Sequence, residues 1–368
     1  METRKGRKLN QMDFPLLIAI TLICGFGLVM LFSASYYYAQ SNKDYNNNGF
    51  HYLTNQAVWM GLGFVAMYLV SRVNYKWWNK MRIIGLVVTL ALMVAVLIFG
   101  VERNGAKRWL EIGGVSMQPS EFAKFALILY MASFMAQRPN AMKKPRGMIL
   151  MLLIMGIMCV FLLLQDNLSM MIILVLAGMI MLFLGGVPMK YLLLMAALAG
   201  GAVYLASREP YRWSRLVMFS DPWNSTEPGA YQLRQSLLGF GAGGLFGSGL
   251  NFSRQKLLFL PYGESDFIFS IIGEELGFIG CLLLIAAYVF AIYRGIRIAI
   301  RCKDRFGGLL AAGITSVLAI QVAVNMAVAT SSIPPTGQTL PFVSSGGTSL
   351  LIFLVAMGIL LNISRDTS

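Results

Sequence analysis

The chain has 368 residues, 57% of them hydrophobic and only 12% charged, with a mean hydropathy of +0.67, which is more apolar sequence than a soluble fold of this size needs. A lipid-embedded protein does need it, because its outside is as apolar as its inside. The net charge of +14 raises nucleic acid as a partner, yet the Lys and Arg residues fall in short clusters between apolar runs, the pattern of membrane-flanking loops. No basic stripe interleaved with aromatics is present, which argues against nucleic-acid binding.

Cys24, Cys159, Cys281 and Cys302 are widely spaced in or beside apolar runs, with neither metal-ligand spacing nor a disulfide framework. His51 is the single histidine, which removes a His-based triad and a multi-His zinc site from consideration.

In chain order, the basic stretch Met1–Met12 leads into an apolar run without a small-residue cleavage signal, so that run is expected to be a retained first helix. A membrane-crossing helix needs roughly 20 mostly apolar residues. Ten segments qualify, at about 14–33, 53–71, 82–100, 118–137, 148–164, 168–186, 189–206, 266–293, 307–331 and 346–363. They predict an all-α polytopic membrane protein built as a single transmembrane domain over 1–368. Ten spans put both termini on one side. That side and its loops hold nineteen of the 30 Lys and Arg residues against ten opposite, so the positive-inside rule places both termini in the cytoplasm. One connector departs from the short-loop pattern. Residues 207–265 form a long external region containing Gly229, Gly239, Gly241, Gly243, Gly244, Gly247 and Gly249 among apolar and aromatic residues. Interfacial or re-entrant helices covering a cavity are expected there, since irregular backbone at membrane depth must line water or be buried in protein.

Ionisable groups inside a membrane are expensive and therefore informative. Glu121 and Lys124 share one helical face at i and i+3, behind a Pro119 suited to a first helical turn. They fit either a structural ion pair or a pair lining a polar cavity. Asp266 follows Pro261 and Gly263 at the start of an apolar helix; it, or Ser265, fits an N-cap, and a partly desolvated carboxylate there also fits a general base. Glu274 and Glu275 lie deeper in that helix, where at least one should face the interior. Trp109, next to Lys107 and Arg108, fits an interface belt or a sugar-stacking surface. Arg212, Arg215, Arg234, Arg254 and Lys256 give the outer face a positive charge that a lipid diphosphate would explain. In the uncharged stretch Asn325–Ser349, Pro334, Pro335, Gly337, Pro341, Gly346 and Gly347 break any helix, and backbone N–H groups around Ser344 and Ser345 suit an anion nest.

These residues in this order resemble the SEDS family (shape, elongation, division and sporulation). The resemblance rests on Gly105–Trp109, Gln118–Lys124, Ser253-Arg254-Gln255-Lys256, Asp266-Phe267-Ile268-Phe269 with Gly273-Glu274-Glu275, Pro335-Thr336-Gly337 through Leu340-Pro341-Phe342, and Ser345-Gly346-Gly347. It covers essentially the whole chain. The Ser253–Lys256 run, Phe32-Ser33-Ala34-Ser35 and the ending Leu361–Arg365 are closer to the division and sporulation members than to the rod-elongation member. Two stretches depart from the family pattern: Asp166 stands where a proline is usual, and Tyr262-Gly263-Glu264-Ser265 replaces a Glu-Ala-His-Thr-like run.

The resemblance implies a ten-helix peptidoglycan glycosyltransferase in the cytoplasmic membrane. Such an enzyme polymerises lipid II at the outer face, beside a class B penicillin-binding protein (a transpeptidase) and other division-complex membrane proteins. By the same resemblance Asp266 matches the essential aspartate, Glu121 and Lys124 the cavity pair, and Trp109 a required external aromatic. Arg212, Arg215, Arg254, Lys256 and Ser345 complete the expected substrate contacts. No metal-ligand set stands out, and a divalent cation, Mg or Mn, is the candidate cofactor to share the charge of a diphosphate. The alternatives are a lipid II flippase and a non-enzymatic division scaffold.

Overall fold

The computed structural model describes residues 12–103, 106–113, 115–206, 219, 221–226 and 228–367. Its helices are α1 (Phe14–Ser41), α2 (His51–Arg72), α3 (Lys76–Phe99), α4 (Pro119–Gln137), α5 (Pro145–Leu164), α6 (Leu168–Leu184), α7 (Met189–Ala206), α8 (Pro228–Gly243), α9 (Ile268–Arg301), α10 (Arg305–Ala329) and α11 (Gly347–Ser364). Each of the ten apolar segments expected from sequence falls on one of these helices. Among the described residues seven are long and apolar enough to cross a membrane: α1, α2, α3, α5, α9, α10 and α11. Helix α6 is apolar with 17 residues.

Helix α1 shows why such sequences form a membrane bundle. Asp13 caps it, its carboxylate accepting from the Leu16 N–H at 3.0 Å, and Pro15 sits in the first turn, where a missing N–H costs nothing. The helix is apolar on every side. Leu16, Ile20, Ile23, Met30 and Leu31 are buried against the protein, whereas Phe14, Ile18, Leu22 and Val29 are exposed on the other side, where only lipid accommodates them.

Two features position the polar end of the bundle. Between α3 and α4 lies a three-stranded antiparallel sheet, β1 (Val101–Arg103), β2 (Ala106–Ile112) and β3 (Val115–Met117), which the all-α expectation did not include. The dipeptide Asn104-Gly105 between two half-apolar runs is the sequence signal for it. The second feature is a break in α9 at Gly277, whose φ of +67° and ψ of −167° are open to glycine alone. The glycine-rich segment after α8 repairs the break. The N–H groups of Ser248 and Gly249 donate to the carbonyls of Glu274 and Glu275 at 2.9 and 3.0 Å, and those of Phe278 and Ile279 donate to Gly244 and Leu245 at 2.9 and 3.2 Å. Irregular backbone is thus satisfied by protein, as an apolar setting demands. Helix α8 packs on α9 through a 2.5 Å contact between the Ser236 and Ser270 hydroxyls.

Candidate active site

The segment between α10 and α11 folds into the bundle instead of looping away from it. Leu340, Phe342 and Val343 are buried, and the turn is pinned from several sides. Asn325 on α10 donates to the Gln338 carbonyl at 2.6 Å, Gln321 on α10 donates to the Thr339 carbonyl at 3.1 Å, and Gln56 on α2 donates to the Ser344 carbonyl at 3.0 Å. The Ser344 hydroxyl donates to the Ser265 carbonyl at 2.5 Å, and the Ser345 N–H donates to the Glu264 carbonyl at 3.0 Å. The Pro334–Gly346 segment is thereby laced to the Tyr262–Asp266 turn.

Asp266 sits in that turn, just ahead of α9. The cap residue of α9 is Phe267, and no side chain caps it, which removes the capping role that the sequence left open for Ser265 and Asp266. Asn325 Nδ2 donates to the Asp266 carbonyl at 2.9 Å, holding its backbone. Among the described residues no group hydrogen-bonds its carboxylate. Gly337 lies against it: a Cβ there would stand 3.4 Å from Asp266 Oδ2, an ordinary contact, and it is the φ of +65° that suits the position to glycine. Burial pushes the Asp266 carboxyl up to about 7; the nearby Glu264 charge adds to the rise and Arg108 opposes it. Glu264 is itself buried, and burial raises its carboxyl too.

Arg108, on β2, is fixed at the mouth. Its guanidinium donates to the carbonyl of Gln165 at 3.3 Å and to that of Asp166, clamping the sheet to the α5–α6 turn. Asp166 has a φ of +51°, a left-handed conformation that aspartate tolerates and proline cannot adopt. Trp109 follows on β2, in register with Val101.

The remaining expected site residues divide into those near this mouth and those committed elsewhere. Glu121 and Lys124 are enclosed, with side-chain exposures of 4% and 0%, and pair at 2.8 Å. Lys124 also donates to Gln321 at 2.5 Å, Ser349 donates to Glu121 at 3.1 Å, and the Lys124 ammonium lies 5.0 Å from the centre of the Phe353 ring. This geometry is an ion pair that ties α4 to α10 and α11.

Lys256 was expected among the anion-binding cations, and its geometry corrects that. Its ammonium is buried, pairs with Glu275 at 2.9 Å, and donates to Asn251 at 2.5 Å and Ser33 at 3.1 Å. The anion nest expected around Ser345 is corrected as well: the N–H groups of Ser344, Ser345 and Gly346 donate to Leu340, Glu264 and Gln56. The Ser345 hydroxyl has no hydrogen-bond partner among the described residues. Arg254 is exposed, and its side chain has no such partner either. Arg212 and Arg215 lie outside the described residues. Gln321 and Asn325, both fully buried, were missed as organisers of the site. Their spacing of four on an otherwise apolar helix was the available signal.

Fold and site together define a polytopic, helical membrane protein whose inward-folded loops hold the Asp266 carboxylate without a hydrogen-bond partner among the described residues. The family model described as "Cell cycle protein", covering FtsW, RodA and SpoVE, matches residues 14–368. Similar chains include stage V sporulation protein E of Bacillus subtilis (strain 168), 38% identical over 96% of this chain and 97% of that one. A probable peptidoglycan glycosyltransferase FtsW of Geobacter sp. (strain M18) is also 38% identical, over 95% of each. Among solved structures, a chain of a peptidoglycan synthase complex coordinating polymerization and crosslinking aligns with a TM-score of 0.80 and 28% identity, covering 97% of this chain and 98% of that one. RodA of Thermus thermophilus aligns with a TM-score of 0.72 and 27% identity, covering 97% of each. The chain belongs to the FtsW/RodA/SpoVE (SEDS) family.

Proposed function

We propose that the chain is a peptidoglycan glycosyltransferase that polymerises lipid II by inverting glycosyl transfer, with Asp266 as the general base. The observation that carries this reading is the Asp266 carboxylate itself, unbonded at the mouth with its pKa raised to about 7. A base with a pKa near the working pH combines a usable ionised fraction with proton affinity. Asp266 takes the proton from the 4-hydroxyl of the acceptor N-acetylglucosamine as that oxygen attacks the anomeric carbon of the donor. The donor's bond to undecaprenyl diphosphate breaks, and the leaving group carries away the electron pair. Exposed Arg254, with Arg212 and Arg215, supplies positive charge for the growing charge on the diphosphate. Lys256 has no part in this, being held by Glu275. Among the described residues no three acidic, His or Cys side chains gather as a metal site.

In this reading ten helices cross the cytoplasmic membrane, both termini are cytoplasmic and the Asp266 mouth opens outward, as the distribution of Lys and Arg favours. The partner is a class B penicillin-binding protein within the division apparatus, in keeping with the synthase complex whose chain this one resembles.

The test is the purified chain with its partner transpeptidase, reconstituted in vesicles with labelled lipid II. Glycan ladders that vanish in Asp266→Asn establish the polymerase. Equilibration of lipid II across the vesicle without ladders makes the chain a flippase, and neither outcome in the presence of the partner leaves a scaffold.

A further inference from the structure

At the end of the bundle where α1 begins and α9 and α11 finish, three arginines of α9 line a cavity of about 290 Å³ together with Asp13, Phe14 and Thr367. Arg294, Arg297 and Arg301 recur at three- and four-residue spacing and so share one helical face. Asp13 neutralises one of them: its carboxylate receives two bonds from the Arg294 guanidinium, at 2.6 and 3.1 Å. Among the described residues no carboxylate pairs with Arg297 or Arg301; Arg297 lies over the Tyr293 ring at 5.6 Å, and Arg301 is exposed. Among the described residues the cavity therefore holds two guanidinium groups without a carboxylate partner.

Its level in the membrane follows from the length of α9. Beyond its break at Gly277, the 24 residues Phe278–Arg301 extend about 36 Å at 1.5 Å each, still longer than the roughly 30 Å of a hydrocarbon core. The terminal turns carrying Arg294–Arg301 thus reach the headgroup layer. Around the cavity the surface turns apolar: Phe14 is 55% exposed, Tyr293 51%, Ile296 46% and Ile300 78%. A cationic pocket bordered by exposed apolar side chains at that depth matches an amphiphile whose head is anionic. Guanidinium groups bind phosphate oxygens in a bidentate manner. The volume equals that of about ten waters, room for a phosphodiester with a small polar head.

We propose that this cavity binds the phosphate headgroup of an anionic membrane lipid, clamped between the start of α1 and the ends of α9 and α11. The site is independent of the glycosyl-transfer reading, since it uses none of the residues at the Asp266 mouth.

The test is native mass spectrometry of the full chain, released from detergent and titrated with phosphatidylglycerol or phosphatidylcholine. Wild type should retain one phosphatidylglycerol in preference to phosphatidylcholine. Each cation near a surface strengthens anionic-lipid binding about fivefold, so the double variant Arg297→Gln/Arg301→Gln should lose roughly 25-fold for phosphatidylglycerol alone. Thr367→Glu, which places a carboxylate in the cavity without altering the arginines, should weaken it as well and guards against a folding defect in the double variant. Equal loss in Lys80→Gln/Lys144→Gln, two cations outside the cavity, would reduce the effect to bulk charge and overturn the site. Displacement of the lipid by an equal concentration of inorganic phosphate would overturn the lipid and leave a free-anion site.

Discussion

Within ten residues, the start of α9 handles carboxylates in two opposite ways. Glu274 and Glu275 lie deep and fully engaged. Glu274 accepts from the Ser253 hydroxyl and from the N–H groups of Arg254 and Gln255 at 2.9 and 3.2 Å, and Glu275 accepts from Lys256 at 2.9 Å and Ser33 at 2.7 Å. Asp266, at the mouth, is held only by its backbone, and its carboxylate has no hydrogen-bond partner among the described residues. A buried charge is tolerated when it is paired and hydrogen-bonded. Glu274 and Glu275 meet that condition and organise the loop after α8. Asp266 does not meet it: its carboxylate is left without a hydrogen-bond partner among the described residues, which is what the proposed base requires. The pairing of a charge, more than its presence in an apolar sequence, separates architecture from chemistry here.

The comparison breaks most severely at Asp266. Asp266→Asn should lower lipid II polymerisation by about 10²- to 10⁴-fold, the usual worth of a general base, in a well-folded protein. Stability should move the other way. The folded-state pKa of Asp266 is raised, so between about pH 4 and pH 7 the folded chain binds the extra proton and Asp266 costs stability above that range. The asparagine variant should therefore melt higher than wild type at pH 8 and match it at pH 4. Full polymerisation by the variant would remove Asp266 from catalysis.

Glu275→Ala should give the reverse signature, a loss of stability by about 3–5 kcal/mol, because Lys256 is left buried without its partner. The paired change Lys256→Met/Glu275→Leu should recover most of that loss in thermal unfolding, and a double variant as unstable as Glu275→Ala would show that the charges do more than neutralise each other. Gly277→Ala comes next. Its backbone conformation costs about 1–3 kcal/mol for an L-residue. Its Cβ would stand 2.3 Å from the Gly247 nitrogen, so the Gly244–Gly249 repair must shift as well. Wild-type melting of Gly277→Ala would mean that the break in α9 is not fixed as described.

How far the sequence disclosed all this depends on the kind of signal. Length of apolar run located the helices, because a membrane selects for it directly. Asp266 stood out because a carboxylate at the head of an apolar helix is costly, and the resemblance to the SEDS family then favoured a base over a cap. The partner of each charge was another matter. Lys256 and Glu275 lie nineteen residues apart across a loop, and Ser33 meets them from α1. Only folding brings them together, so Lys256 read as a free outer cation. The Ser344–Gly346 backbone read as an anion nest for a similar reason: its composition is visible in sequence, whereas the receiving carbonyl of Glu264 and the amide of Gln56 are not. The sheet at Val101–Met117 was hidden by hydropathy windows longer than its strands.

The smallest expected effect gives the sharpest reading of the mouth, because it separates the charges acting on Asp266. After burial, Glu264 is the next cause raising its pKa, and Arg108 opposes the rise. A general base loses activity as pH falls through its pKa, so polymerisation should decline below about pH 7, tenfold per unit once Asp266 is mostly protonated. Glu264→Gln removes a negative neighbour and should move that acid limb to lower pH, whereas Arg108→Gln removes a positive one and should move it to higher pH, each by less than about one unit because burial dominates. Arg108→Gln also frees the α5–α6 turn from the sheet, so its maximal rate should fall while the rate of Glu264→Gln holds. Shifts of the two limbs in the same direction would mean that the electrostatics at the mouth do not set the proton affinity of Asp266.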